Sequence, residues 1–266
     1  MILRGDYSSN ILRTTVNIQF FIPEVCLRSE STGPYKIAYL LHGLHANQGS
    51  YMDYSMLPYY GKNYKTIFVM PEVGRSFYFD LKYGRKYFSF VSEELPQITK
   101  KIFNISAKRE DSAVIGYSMG GNGALKLALS KPDQYGFCGA ISAACLYFKP
   151  VLDAIRKDKS AFFYIDAAES EEVIKDLYAM YGEDLEYRIE GDVPELVRNF
   201  PADKPKPKIY ATCGTEDDLV KENHKFRDEM KNTAFDFTYN EWAGGHDWDF
   251  FNEGLKKTLE FWNNKA

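Results

Sequence analysis

The chain is short of cysteine, of long apolar runs and of positive charge. Its 266 residues include four cysteines whose spacing matches no metal site: Cys26, Cys138, Cys145 and Cys213. No stretch approaches the roughly 20 apolar residues of a membrane-spanning helix, and the N-terminus lacks a basic segment followed by an apolar one. The net charge of −4 comes from interspersed signs, which form no basic surface for nucleic acid. We therefore expect a cytoplasmic protein with buried free thiols and with neither a membrane nor a nucleic-acid partner.

The order of apolar segments predicts one α/β domain spanning residues 1–266. Strand-like and helix-like segments alternate, which indicates a mostly parallel sheet with helices on both faces. Alternating apolar residues at 14–22 predict an antiparallel strand at the sheet edge. The segment at 36–41 is almost continuously apolar, as expected of a parallel strand covered on both faces.

A G-x-S-x-G motif at 116–120 carries the strongest chemical signal. It follows the apolar run at 113–115 and precedes an apolar, helix-like run at 123–129. A serine on a strained strand-to-helix turn is exposed for nucleophilic attack, and the small residues flanking it let strand and helix approach closely. The helix N-terminus beneath it favours developing negative charge. We expect Ser118 to be a nucleophile, the alternative being an ordinary glycine-rich turn.

Two phosphate-binding motifs are also glycine-rich, but they require other residues here. A Walker loop needs lysine after Gly121, where the chain has Asn122. A dinucleotide fingerprint starting at Gly121 needs a small residue where Lys126 stands. The motif therefore favours a nucleophile over a nucleotide cofactor.

A serine nucleophile needs a histidine base, and four histidines are available. Only His246 lies well after the serine in a suitable loop, where two glycines allow a tight turn past the strand-like segment 235–242. The alternative for His246 is a loop histidine that caps the next helix. His224 lies in a polar, helix-like stretch and is expected on the surface. His42 and His45 form H-x-x-H without a third ligand, which argues against a metal site; His42 is expected to stabilise a turn.

The orienting acid should follow a strand that lies between the serine and the histidine. The strand predicted at 208–213 is followed by Gly214 and then by Glu216, Asp217 and Asp218. Spacing does not choose among these three carboxylates. Two of them are expected to be exposed charges at the start of the next helix.

Acyl transfer also needs hydrogen-bond donors for the oxyanion. The first is normally the backbone N–H of the residue after the nucleophile, which is Met119 here. The second should come from the loop after the strand at 36–41, where the sequence His42-Gly43-Leu44-His45 makes the Leu44 N–H the candidate.

Residues 147–207 separate two predicted core strands and are too long for a simple connection. Within them Val173, Ile174, Leu177 and Tyr181 follow helical spacing, so we expect at least one amphipathic helix. This segment is predicted to form a small cap over the serine; the alternative is a helix that only packs on the sheet. Dense aromatic residues at 51–64 and 77–88 would suit an acyl or aryl pocket.

These motifs resemble the esterase D-like branch of the α/β-hydrolases, and most closely its bacterial tributyrin and cinnamoyl (feruloyl-type) esterases. The resemblance runs from about residue 14 to the C-terminus, apart from the stretch near 147–207. The matching segments are 40–43, 69–72, 78–84, 93–96, 109–111, 116–121, 213–217 and 244–248. It implies that Ser118 is the nucleophile, His246 the base and Asp217 the acid, with Leu44 and Met119 as oxyanion donors. Asp218 is the alternative acid, and it departs from the apolar residue that the family often has there.

The sequence thus predicts a serine carboxylesterase acting on soluble, short-chain acyl esters through an acyl-enzyme. The alternatives are a carbohydrate ester deacylase of acetyl or feruloyl type, and then a thioesterase or acyltransferase. The expected partner is a small-molecule ester, with no cofactor and no metal, and the chain is compatible with a homo-oligomer.

Overall fold

Eight strands form a single sheet in the computed structural model, which describes residues 1–28, 30–162, 164 and 166–263. The strands are β1 (Ile2–Ser9), β2 (Thr14–Phe21), β3 (Lys36–Leu41), β4 (Thr66–Pro71), β5 (Ser112–Tyr117), β6 (Phe137–Ile141), β7 (Lys208–Gly214) and β8 (Phe237–Trp242). Their order across the sheet is β1-β2-β4-β3-β5-β6-β7-β8. Strands β3 to β8 are parallel, and β2 runs antiparallel to both of its neighbours. This is the mostly parallel α/β architecture that the sequence predicts.

Helices cover both faces of the sheet. They are α1 (Ser50–Tyr54), α2 (Leu57–Tyr60), α3 (Tyr87–Ser89), α4 (Leu95–Ile102), α5 (Met119–Ser130), α6 (Phe148–Lys157), α7 (Ala167–Tyr181), α8 (Val193–Arg198), α9 (Val220–Met230) and α10 (Trp248–Asn263). A single π-helical turn, Phe90–Glu94, joins α3 to α4. The apolar residues of α1, α2 and α10 pack in one core, whereas those of α4, α5, α7 and α9 pack in the other.

The side chains of β3 show how one apolar strand supplies both cores. Ile37, Tyr39 and Leu41 belong to the larger cluster, while Ala38 and Leu40 between them belong to the smaller one. Successive side chains of a strand point to opposite faces, so a strand covered on both faces needs apolar residues at every position. The continuous apolar run at 36–41 is thereby explained.

The prediction of an edge strand at 14–22 is wrong in one respect. Strand β2 is antiparallel, as expected, but β1 pairs with it along its whole length, so the sheet ends at β1 and β8. Strand β1 is largely exposed on both faces and therefore lacks the apolar alternation that identifies a strand. The carboxylate of Glu94 holds the β1–β2 turn in place, accepting the N–H groups of Asn10 and Ile11 at 2.8 and 3.2 Å.

The segment between β6 and β7 contains α6, α7 and α8. Val173, Leu177 and Tyr181 of α7 are buried and Ile174 is half-buried, which confirms the amphipathic helix predicted there. None of the helices in the described ranges is long and apolar enough to cross a lipid bilayer.

The carboxyl ends of the parallel strands all lie on the same side of the sheet, the side at which ligands bind in open α/β folds. Six loops emerge at these carboxyl ends, namely those after β3, β4, β5, β6, β7 and β8. Each residue predicted to take part in the chemistry lies in one of these loops or at the start of the helix that follows.

Candidate active site

Ser118 lies at a sharp turn between β5 and α5. Its backbone has φ 55° and ψ −124°, a conformation that side-chain-bearing residues rarely adopt. Two close backbone approaches make this turn possible. A Cβ on Gly116 would lie 2.0 Å from the carbonyl oxygen of Gly120, and a Cβ on Gly120 would lie 2.1 Å from that of Leu41. Glycine is therefore required at both positions, which is the physical content of the G-x-S-x-G pattern.

The end of β6 holds the strained serine in place. The Ser118 N–H donates to the Ile141 carbonyl at 2.9 Å, and the Ser118 carbonyl accepts the Ala144 N–H at 3.1 Å. The side chain is nevertheless accessible to a neighbouring loop, because its Oγ lies 2.9 Å from Nε2 of His246.

His246 and Asp217 are brought together by the loops after β8 and β7. A Cβ on Gly214 would lie 2.0 Å from the carbonyl oxygen of Gly244, so the two loop backbones are in direct contact. Nδ1 of His246 lies 2.9 Å from Oδ2 of Asp217. Because an ionised carboxylate can only accept, Nδ1 carries the hydrogen and Nε2 is free to accept the Ser118 proton. The three side chains form one continuous hydrogen-bonded chain.

Burial separates Asp217 from the neighbouring carboxylates. Its side chain is 0 % exposed, whereas Glu216 and Asp218 are exposed. Burial by itself would raise the pKa of the Asp217 carboxyl, but hydrogen bonds from His246 and from the Leu219 N–H hold that pKa below its usual range. Asp217 is therefore ionised, and of the three candidate acids it is the one that contacts His246.

The predicted oxyanion donors lie beside the serine. Met119 is the first residue of α5, and Leu44 follows Gly43 in the loop after β3. A Cβ on Gly43 would lie 3.4 Å from Cβ of Ser118, so the backbone of this loop passes directly beside the serine. Both residues predicted as donors therefore belong to backbone segments that adjoin Ser118.

His42 stabilises the loop that carries Leu44. Its Nδ1 lies 2.8 Å from the Gly43 carbonyl, and its Nε2 accepts the Val73 N–H at 3.2 Å. The Tyr78 hydroxyl donates to the His42 carbonyl at 3.0 Å. The prediction that His42 stabilises a turn is confirmed, and its ring also connects the loops after β3 and β4.

The other two histidines lie near the surface. His224 on α9 contacts Glu241 at 2.5 Å, in agreement with the predicted surface position. His45 contacts Glu169 of α7 at 2.9 Å. Within the described ranges no cluster of three or more histidine, cysteine, aspartate or glutamate residues could hold a metal ion. Cys26, Cys138 and Cys213 are buried free thiols, as predicted, and Cys145 is a half-buried one.

Sequence analysis did not predict the strained segment that follows β6. Ser142 and Cys145 both have positive φ, at 45° and 54°. The Nδ2 of Asn122 donates to the Cys145 carbonyl at 2.7 Å, and the Nδ2 of Asn223 donates to the Ala143 carbonyl at 3.0 Å. Positive φ at non-glycine residues has no simple sequence signature, and the two asparagines are distant in sequence from the segment they hold.

A carboxylate on α9 completes the support of this segment. Glu222 accepts the Tyr147 N–H at 3.2 Å, immediately before α6 begins. Burial raises the pKa of the Glu222 carboxyl to about 7, although the N–H groups of the segment favour its ionised form. The carboxyl therefore titrates near neutral pH.

This titration predicts a pH-dependent stability. Between about pH 4.5 and 7 the folded state binds more protons at Glu222 than the unfolded state, so the free energy of unfolding should fall as pH rises through this window. Glu222→Gln removes the titration. The difference in Tm, variant minus wild type, should therefore be greater at pH 8 than at pH 5 by about 2–6 °C. Thermal unfolding at both pH values measures this, with exposed Glu216→Gln as control. Equal differences at both pH values would contradict it.

Comparisons with known proteins agree with this fold. The Esterase family model matches residues 9–261. An acetyl esterase from Caldicellulosiruptor saccharolyticus is 34% identical over 237 residues, which cover 87% of this chain and 84% of that protein. The Staphylococcus aureus fluorophosphonate-binding serine hydrolase FphF superposes with TM-score 0.84 at 25% identity, over 100% of this chain and 99% of that one. The S-formylglutathione hydrolase FrmB of the same organism superposes with TM-score 0.80 at 26% identity, over 99% of each chain.

Proposed function

We propose a reaction for this chain from one premise: it belongs to the esterase family and is a serine esterase with an α/β-hydrolase fold. The observation that carries the proposal is the hydrogen-bonded chain from Ser118 through His246 to Asp217, with 2.9 Å at each step. In this proposal Ser118 is the nucleophile, His246 the general base and Asp217 the acid that orients it.

The reaction proceeds in two halves through a covalent acyl-enzyme. Ser118 Oγ attacks the ester carbonyl carbon while its proton passes to Nε2 of His246. Asp217, buried and ionised, fixes the imidazole tautomer and stabilises the imidazolium. His246 then protonates the leaving alcohol as the carbon–oxygen bond breaks. Water, deprotonated by the same histidine, then attacks the acyl carbon, and His246 returns the proton to Ser118 Oγ as the acyl–Oγ bond breaks and the carboxylic acid leaves.

Negative charge that develops on the carbonyl oxygen is stabilised by the backbone N–H groups of Leu44 and Met119. The N-terminal end of α5 adds the partial positive charge of a 12-residue helix at the same place. Donors fixed in the backbone need no reorganisation during the reaction, and the loss of one such donor typically costs on the order of 2.7–4 kcal/mol in the transition state.

The substrates that this site fits best are soluble esters with a short acyl group. Ser118 is only 6 % exposed, and helices of the 147–207 segment follow directly from the strained segment beside it. We infer that this segment acts as a cap that limits the room for the acyl chain. The similarity to an acetyl esterase supports a small acyl group. Four free cysteines support a reducing, cytoplasmic setting.

An acetylated or feruloylated carbohydrate is the second candidate substrate, and one observation favours it. Trp248, two residues after His246, packs against Tyr54 with ring centroids 5.7 Å apart, and Tyr54 is 65 % exposed. Exposed aromatic faces of this kind bind flat, apolar surfaces such as those of sugar rings or aryl groups.

Replacement of the nucleophile tests the proposal most directly. Ser118→Ala should lower kcat on p-nitrophenyl acetate by roughly 10⁶-fold without changing Tm, because no other group forms the acyl-enzyme. A fluorophosphonate should label the wild type at Ser118 and leave the variant unlabelled. Peptide mapping of the adduct to another residue would refute the assignment.

The acid is tested by a pair of adjacent aspartates. Asp217→Asn should lower kcat by about 10⁴-fold, because the amide permits the wrong tautomer of His246. Asp218→Asn changes an exposed charge that makes no contact with His246 and should alter kcat by less than about tenfold. If the second variant were the slower one, Asp218 would be the acid.

Substrate size is tested with a series of p-nitrophenyl esters. If the 147–207 segment limits the acyl pocket, kcat/KM should be greatest at about two to four acyl carbons and fall steeply beyond about eight. In an unrestricted pocket, each methylene that is buried would instead strengthen substrate binding by up to about 0.8 kcal/mol. Acetylated and feruloylated sugars measured alongside distinguish the two substrate classes. Undiminished kcat/KM on the laurate ester would contradict the small pocket.

A further inference from the structure

One network of polar side chains connects the loop after β3, which carries Leu44 and is called the oxyanion loop here, to residues 147–207, called the inserted segment. Nε2 of His45 lies 2.9 Å from Oε1 of Glu169 in the first turn of α7. His45 follows Leu44 directly in the chain, so the imidazole is attached to the backbone next to the oxyanion donor. The imidazole is 52 % exposed, and its contact with Glu169 ties the loop after β3 to α7.

Glu169 is itself fixed in position by two further contacts. Its backbone N–H donates to the side chain of Asp166, which caps the helix, at 2.8 Å. Its carboxylate accepts Nη2 of Arg75 at 2.7 Å. The Arg75 guanidinium also contacts Asp176 through Nε and Nη2, at 2.9 and 2.8 Å. Glu169 and Asp176 are seven residues apart and lie on one face of α7, so a single arginine contacts two turns of the helix.

Arg75 belongs to the loop after β4, and this loop also contacts the oxyanion loop. The Glu72 carboxylate accepts the N–H groups of Gln48 and Gly74, at 3.2 and 2.7 Å. The loop after β3 is thus held from two sides, by Glu72 through the Gln48 N–H and by Glu169 through His45. Glu72 belongs to the core of the fold, whereas Glu169 belongs to the inserted segment.

We propose that Glu169 is a positioning residue for the oxyanion hole, acting through His45 on the backbone that presents the Leu44 N–H. The inference rests on the proposed serine esterase mechanism. Glu169 touches neither the reacting atoms nor the substrate carbonyl. Its effect is to make the oxyanion donor fully aligned only while α7 is docked, so that the inserted segment contributes to turnover as well as to substrate size.

The test compares two glutamates of the same helix. Glu169→Gln weakens the contacts with His45 and Arg75, whereas Glu172→Gln removes only an exposed pair with Lys175. Complete loss of an oxyanion donor costs about 10²–10³-fold in kcat, so misalignment in Glu169→Gln should cost about tenfold on p-nitrophenyl acetate, with KM almost unchanged. Glu172→Gln should match the wild type. Equal kcat values for the two variants would overturn the proposal.

Three further measurements separate positioning from a merely structural role. Phenylboronic acid forms a tetrahedral anionic adduct with a serine nucleophile, so its inhibition constant should rise about tenfold in Glu169→Gln, in parallel with the fall in kcat. His45→Ala, a change at an exposed side chain, should lower kcat to a similar extent. The double variant should be no slower than either single variant, because both act through one contact.

Additive losses in the double variant would show that Glu169 does not act through His45 and would refute the proposal. Loss of Tm with unchanged kcat per folded molecule would likewise refute it. Failure of the underlying mechanism gives a different result. Either the wild-type enzyme hydrolyses no ester, or the Ser118→Ala variant retains activity.

Discussion

The site depends on one close contact between backbones, at the turn that carries Ser118. The strand that ends at Tyr117 and the helix that begins at Met119 can meet only because Gly116 and Gly120 have no side chains. That contact forces Ser118 into its strained conformation, and hydrogen bonds from the end of β6 hold it there. Strain at one residue costs of the order of 1–3 kcal/mol, which the packed strands around it must offset.

The parallel sheet places the other residues of the site at the same carboxyl ends of the strands. Strands β3, β5, β7 and β8 each end in a loop that supplies one part of the site, and parallel pairing fixes the relative heights of these loops. The order of the strands therefore decides which chain segments meet. Residues separated by 128 positions, Ser118 and His246, come into hydrogen-bonding contact in this way.

Local patterns predicted much of this arrangement. The nucleophile turn, the His246 loop and the strand at 36–41 could each be recognised because a short segment contains all the required residues. The acid could not be chosen by spacing, because Glu216, Asp217 and Asp218 are adjacent carboxylates and the difference in burial between them arises only on folding. The family resemblance indicated Asp217, the residue that contacts His246.

Strand β1 was missed because exposure on both faces removes apolar alternation. The support of the segment after β6 was missed because its asparagines and Glu222 are brought to it only by folding.

The contact between Gly214 and Gly244 has a consequence for how such a site can vary in sequence. It brings the backbones of the loops after β7 and β8 into direct contact, so that main-chain atoms set the distance between Asp217 and His246. Side chains at the tips of these loops, such as Glu216 and Asp218, point to solvent and can change in charge or size without altering that distance. The surface around the proposed catalytic groups is therefore free to vary, whereas a side chain at Gly214 would push the two loops apart and separate His246 from Asp217.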